Sequence, residues 1–274
     1  MDEVRILGEW PVILPDYRVA HCAAQPNWEE GRLRSMHAHL RPGMVLYDVG
    51  AEHADLSALL ATFVEGPGGG VVLVEGSDKF WPVIRATFEA NRLVPVACWA
   101  GFASDHDTDD EARGPGWGDV SLTVGDEWPT WAGPSLNGAE PPTHHGFKSV
   151  VESKDTIPNI RFDTLAEKVG PPDAMTIDVE GAELLVLHGS ERILRDVRPL
   201  VWVSIHPTLI AHDYNIHGVL GAGDPDFERQ RVLDYMASLD YNHQYIETNH
   251  EEHALFVPRE RTDVDPHAGI EYLR

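Results

Sequence analysis

YDVGAEHADLS, residues 47–57, joins a short apolar run to the start of a helical pattern through an acid, a glycine and a polar turn. Residues 44–49 read as a buried strand that ends at Asp48 and Gly50, and residues 56–64 carry apolar side chains at helical spacing. A glycine there lets the backbone pass close to a ligand, and a helix N-terminus adds unpaired N–H groups. A dinucleotide fingerprint needs G-x-G-x-x-G. This loop keeps only Gly50, with Glu52 and Ala54 where a pyrophosphate requires small uncharged positions, which disfavours NAD.

The same rhythm continues outward. After the loop at 65–70, residues 71–74 predict a second strand capped by Glu75. Residues 80–91 predict a helix with Pro82 in its first turn, and 94–98 a third strand. Further on come helix 162–169, strand 174–179, helix 182–194, strand 200–205 and the amphipathic helix 227–239, with Phe227, Leu233, Met236 and Leu239 on one face. Two extended runs, 241–246 and 253–257, flank TNHEE and predict a closing antiparallel hairpin. Strands alternating with helices define an α/β fold with a doubly wound parallel sheet.

One domain is expected across 1–274, with a helical extension at 1–43 whose clearest helix is 28–40, and an insertion or lid at 105–147 over the active face. That insertion breaks the rhythm with DHDTDDE and with Trp117, Trp128 and Trp131. The tryptophans suit either stacking on a sugar ring or packing the insertion itself.

The chain has 274 residues, 42% of them hydrophobic and 24% charged, which excludes disordered and fibrous classes. Apolar runs fall short of the roughly 18 residues that span a bilayer, and the acidic N-terminus lacks signal-peptide character. A cytoplasmic location is expected. Forty-five acids against 21 basic residues give a net charge of -24, which opposes nucleic acid and anionic membranes as partners and favours a neutral acceptor. Cys22 and Cys98 lack metal-type spacing and read as buried thiols.

Asp48 and Glu75 stand at corresponding strand ends, 27 residues apart. An acid at the second position accepts both hydroxyls of a ribose, so the pair suits a cationic, phosphate-free cofactor. The plainer reading makes Asp48 a turn cap and Glu75 a solvated acid.

The segments DVGAEHADLS, VLVEGS, RFDTLAE, TIDVEGAELLVLHGSERIL and VSIHP resemble the FkbM-type methyltransferases over roughly residues 40–260. The resemblance implies a class I methyltransferase fold, a Rossmann-like seven-stranded sheet with an antiparallel last strand. It implies S-adenosylmethionine as cofactor, held by Asp48, Gly50, Glu75 and Ser77. The family loop more often reads DVGANxGxxS, so Glu52 and Ala54 are departures.

Asp178 and His206 end neighbouring strands and face the same opening. Methyl transfer to a hydroxyl requires placing the acceptor and removing its proton, and Asp with His can do so directly or through Mg²⁺ or Mn²⁺. Asp178 and His206 are therefore both the catalytic and the metal-ligating candidates. The simpler alternative has Asp178 orienting the acceptor and His206 held at a strand end by Pro207. Glu180 and Glu183 are candidates to complete a metal site or to cap the helix near Gly181, with the cap favoured for Glu183. His144, ahead of His145, is the candidate general base; His37 and His53 flank the cofactor region. The N/D-P-P-Y/F motif of many N-methyltransferases has no counterpart, because that place reads DVEG.

The expected function is O-methylation of a sugar or other small glycosylated molecule, with a homodimer as candidate assembly. Among relatives, the methylmannose polysaccharide methyltransferases of mycobacteria fit the arginine-rich, lysine-poor composition. The rivals are a non-catalytic cofactor-binding module and a methyltransferase of non-sugar small molecules.

Overall fold

The computed structural model describes residues 1–108, 122–133, 157–206, 225–248 and 251–271. The first 43 residues are not purely helical. They open with an antiparallel hairpin of β1 (Asp2–Ile6) and β2 (Trp10–Leu14), then fold into helices α1 (Asp16–Ala24) and α2 (Glu30–His39). The hairpin signal was present as alternation: Ile6, Val12 and Leu14 are buried while Arg5, Pro11 and Ile13 beside them are not, across a turn at Leu7 and Gly8 with positive φ.

The α/β body follows the predicted order. It comprises β3 (Val45–Val49), α3 (Asp55–Val64), β4 (Gly70–Glu75), α4 (Trp81–Ala90) and β5 (Ala97–Ala100). The short strands β6 (Phe102–Ala103), β7 (Leu122–Val124) and β8 (Asn159–Ile160) come next, then α5 (Phe162–Val169), β9 (Ala174–Ile177), α6 (Glu183–His188), β10 (Leu200–Ile205), α7 (Pro225–Ser238), β11 (Tyr241–Thr248) and β12 (Glu252–Pro258). Pro95 lacks a backbone N–H, and ladder pairing of β5 starts only at Ala97. The predicted helix 182–194 is interrupted. A Cβ on Gly189 would lie 1.9 Å from the Ser104 carbonyl, and a π-helical turn, Ile193–Val197, follows.

The main sheet has the order β11-β12-β10-β9-β3-β4-β5-β7. The parallel strands β10, β9, β3, β4 and β5 form its centre. The chain's last strand, β12, is antiparallel between β10 and β11, as predicted. The seven-stranded sheet is therefore present, with β7 added as an antiparallel eighth strand against β5.

Two hydrophobic layers flank the sheet. One contains Leu46, Leu59, Leu73, Trp81, Phe88 and Trp202; the other contains Tyr47, Val74, Phe162, Met175, Val203 and Met236. Alternate residues of each strand feed the two layers, as a doubly covered sheet requires. Trp128 and Trp131 pack against the first layer, with Trp128 edge-on to Phe88 at 6.1 Å, so their packing role is the one observed. Trp117 and most of the expected lid lie outside the described residues. Cys22 and Cys98 are free thiols. No described helix is long and apolar enough to cross a membrane.

Candidate functional site

The carboxyl ends of β3, β4, β9 and β10 gather the predicted residues along one edge of the sheet. Register aligns Val49 with Val74 on one side and with Ile177 on the other, so Gly50, Glu75 and Asp178 emerge side by side. Gly50 has φ +89, and a Cβ there would lie 1.8 Å from the Asp178 carbonyl oxygen. Only glycine permits both the conformation and the approach. The Gly50 and Ala51 N–H groups both donate to the Val74 carbonyl, at 2.9 and 3.2 Å.

In the first half of the site, Asp48 is 2% exposed, and its Oδ2 has no hydrogen-bond partner. Burial pushes its carboxyl up to about 6, against the opposing pull of the Ser57 hydroxyl and Arg32. Glu75 accepts the Ser77 N–H at 2.7 Å and the Glu52 N–H at 3.0 Å. Burial outweighs these two dipoles and raises its carboxyl to about 7. A buried, unpartnered carboxylate oxygen and a glycine cradle fit a cationic ligand with ribose hydroxyls. Ser77 contributes its backbone N–H to Glu75.

The two departures from the common loop sequence are both left-handed, with φ 46 at Glu52 and 61 at Ala54. Asparagine and glycine tolerate this region; Glu and Ala carry a cost of roughly 1–2 kcal/mol each. His53, between them, is buried. It hydrogen-bonds through Nδ1 to the Tyr17 hydroxyl at 3.0 Å and packs edge-on to Phe80 at 4.9 Å. His37 instead joins an aromatic group with Trp10 and Phe63, away from the strand ends.

In the second half, Asp178 Oδ2 accepts from Arg32 Nη1 at 2.9 Å, while its Oδ1 lies 3.7 Å from His206 Nε2. His206 Nδ1 pairs with Glu183 Oε1 at 2.8 Å, and its Nε2 lies 2.8 Å from Glu251 Oε2. Burial alone would lower the His206 pKa, but the carboxylates of Glu183, Glu251 and Asp178 overcome it and raise it to about 12. Burial would raise Glu251, yet His206, His253 and Arg32 hold it down to about 2. Asp178 is raised, chiefly by burial, with Arg32 opposing.

Ligand atoms of Asp178, His206 and Glu251 lie within 4.8 Å of one another, and so do those of Glu29, Glu251 and His253. The first set is two carboxylate oxygens and one imidazole nitrogen, a donor set suited to Mg²⁺ or Mn²⁺. Glu183 also accepts the N–H of Gly181, the residue before the N-cap, at 3.0 Å while orienting His206, and the helix start has no side-chain cap hydrogen bond. In the cluster with Asp178 and His206 the third side chain is Glu251, where the sequence offered Glu180 or Glu183.

Glu251 belongs to the TNHEE turn between β11 and β12. That turn returns to the strand-end edge because β11 runs parallel to β10. Sequence reading also missed Arg32, whose guanidinium is fully buried against Glu29, Asp178 and Thr176. Neither carries a local motif; the topology of the hairpin was the one available clue to Glu251. His144 and His145 lie outside the described residues.

An acid-lined loop at the switch point of this sheet order is consistent with the class I methyltransferase fold. The methyltransferase FkbM domain matches residues 48–243, most of the chain, and the chain belongs to that family. No curated protein matches it. Among solved structures, it is similar to a methyltransferase FkbM from Methylobacillus flagellatus KT, at 14% identity and TM-score 0.47, covering 89% of this chain and 56% of that one. It is also similar to the O-methyltransferase TomG from Streptomyces achromogenes, in complex with SAM, at 13% identity and TM-score 0.46, covering 90% and 91%. A precorrin-6Y C5,15-methyltransferase from Geobacter metallireducens GS-15 matches at 12% identity and TM-score 0.44, covering 83% and 86%.

Proposed function

We propose that this chain methylates a hydroxyl oxygen of a saccharide or other small glycosylated acceptor, assisted by Mg²⁺ or Mn²⁺ at Asp178, His206 and Glu251. The observation that carries this reading is the convergence of those three donors within 4.8 Å, beside the Gly50 loop. Three features support an oxygen acceptor: hard ligands, an imidazole turned by Glu183, and DVEG where an N-methyltransferase motif would stand. The net charge of -24 supports a neutral acceptor.

S-adenosylmethionine, when bound, supplies an electrophilic methyl carbon on a sulfonium. Asp48 would face its positive charge, Glu75 would take the ribose hydroxyls, and Gly50 and Ser77 would line its path. A divalent cation supplies Lewis acidity toward the acceptor hydroxyl. Arg32 fixes Asp178 Oδ2, which leaves Oδ1 directed to the acceptor side with His206 Nε2. The carbon–oxygen bond forms as the carbon–sulfur bond breaks, and His144 is assigned the hydroxyl proton.

The test combines cofactor calorimetry with transfer of labelled methyl groups to a panel of neutral saccharides, with and without Mg²⁺. Asp178→Asn and His206→Ala should bind cofactor within about threefold of the parent while turnover falls about 100-fold or more. Unchanged turnover in both variants removes the acceptor site. Transfer that survives chelation removes the metal and leaves the methyl transfer standing.

A further inference from the structure

The N-terminal extension reaches the cofactor loop through two adjacent side chains. Arg18 of α1 forms a forked ion pair with Asp55, Nε lying 2.8 Å from Oδ2 and Nη2 closer still. Both partners are largely buried, at 11% and 6% exposure. The Arg18 guanidinium also lies over the Trp28 ring at 5.7 Å, which fixes the arginine from its other face. Tyr17, one residue earlier, holds His53 Nδ1 at 3.0 Å and packs edge-on to its ring.

The residues so gripped, His53 and Asp55, alternate with the two left-handed residues Glu52 and Ala54. The conformation at Glu52 matters to the site, because its N–H donates to Glu75 Oε2 at 3.0 Å and so turns that carboxylate. A loop built from Glu and Ala where Asn and Gly are easier has to be held from outside, and α1 supplies the hold.

We propose that Tyr17 and Arg18 are positioning residues for the cofactor loop: by gripping His53 and Asp55 they keep Glu52 and Ala54 left-handed and Glu75 aimed at the ribose. This rests on the assignment of Glu75 to the cofactor. The chain thus replaces an intrinsically permissive loop with a clamped one, and its N-terminal extension is part of the cofactor site.

The test measures S-adenosylmethionine affinity by calorimetry, and the kcat and KM of methyl transfer, for Arg18→Met, Tyr17→Phe and each combined with Ala54→Gly. Arg18→Met should weaken cofactor binding about tenfold or more, with kcat at saturating cofactor within about twofold; Tyr17→Phe should weaken it less. Ala54→Gly should return the Arg18→Met affinity to within about threefold of the parent, because glycine holds the left-handed position unaided. A general loss of folding would lower kcat and cofactor affinity together and would not be repaired by one glycine.

Unchanged affinity in Arg18→Met and Tyr17→Phe, or a loss that Ala54→Gly leaves in place, overturns the proposal. If Arg18→Met does not fold, Tyr17→Phe with and without Ala54→Gly decides by the same criteria. A parent protein that binds no cofactor at all would instead remove the assignment of Glu75.

Discussion

At the ends of β3 and β4, Asp48 leans on the Ser57 hydroxyl and, more weakly, on Arg32, Glu75 leans on backbone N–H groups, and burial lifts their carboxyls to about 6 and 7. At the ends of β9 and β10, Glu251 is also enclosed, yet its carboxyl is held down to about 2 and His206 is raised to about 12. The difference lies in the partners. Neutral dipoles replace only part of the water that a carboxylate loses, whereas Arg32 and the protonated His206 bring formal charge to Glu251. The first half is thus complementary to an incoming cation. In the second, Arg32 and His206 already face the carboxylates, and a metal enters only in exchange for a proton on His206.

The largest effect is expected where the halves touch. Gly50→Ala drives a Cβ to 1.8 Å from the Asp178 carbonyl and puts alanine at φ +89. The variant should lose about 4 kcal/mol or more of stability and all measurable cofactor binding. Urea denaturation with calorimetry checks this; near-parental stability would mean the halves move independently. Next comes Arg32→Met, which strips the charge facing Glu29 and Asp178 and leaves Glu29 buried and Asp178 partly buried without it. It should cost about 3–5 kcal/mol. Cofactor affinity should stay within about threefold if the two halves are electrostatically separate, and a larger loss would show that Arg32 serves both.

The cofactor half was far more legible in the sequence than the acceptor half, for a physical reason. Asp48, Gly50 and Glu75 owe their positions to local strand and helix patterns, so a period-based reading places them. Asp178 and His206 were found in the same way, as strand ends. Arg32 meets Asp178 across 146 residues and Thr176 across 144. Glu251 meets His206 only because β12 inserts between β10 and β11. No periodicity encodes such meetings. Within 1–43 the helix read at 28–40 is present as α2, and what was missed is the hairpin: strands of five residues each, β1 and β2, are too short to outweigh the stronger helical stretch that follows.

Glu75 gives a smaller and sharper test. Its carboxyl is raised from 4.5 to about 7, so between those values the folded chain keeps a proton that the unfolded chain loses. The associated stability is complete below about pH 4.5 and lost as pH rises through about 7, amounting to roughly 3 kcal/mol. In the ligand-free protein, Glu75→Gln should remove that slope. Its amide adds a pH-independent cost by facing the N–H groups of Glu52 and Ser77, so the slope of stability with pH is the quantity to measure. Parallel slopes for parent and variant would show that another group carries the titration.

The smallest effect concerns the ligand. A sulfonium beside Asp48 and Glu75 favours their ionised forms, so cofactor binding near pH 6.5 should release up to about one proton. Calorimetry in two buffers of different ionisation enthalpy reads this directly. The thioether product, which lacks the sulfonium charge, should release less, and Glu75→Gln should reduce the release for both. Equal release by cofactor and product would place the sulfonium away from these acids, and the contrast between the two halves would then concern folding rather than binding.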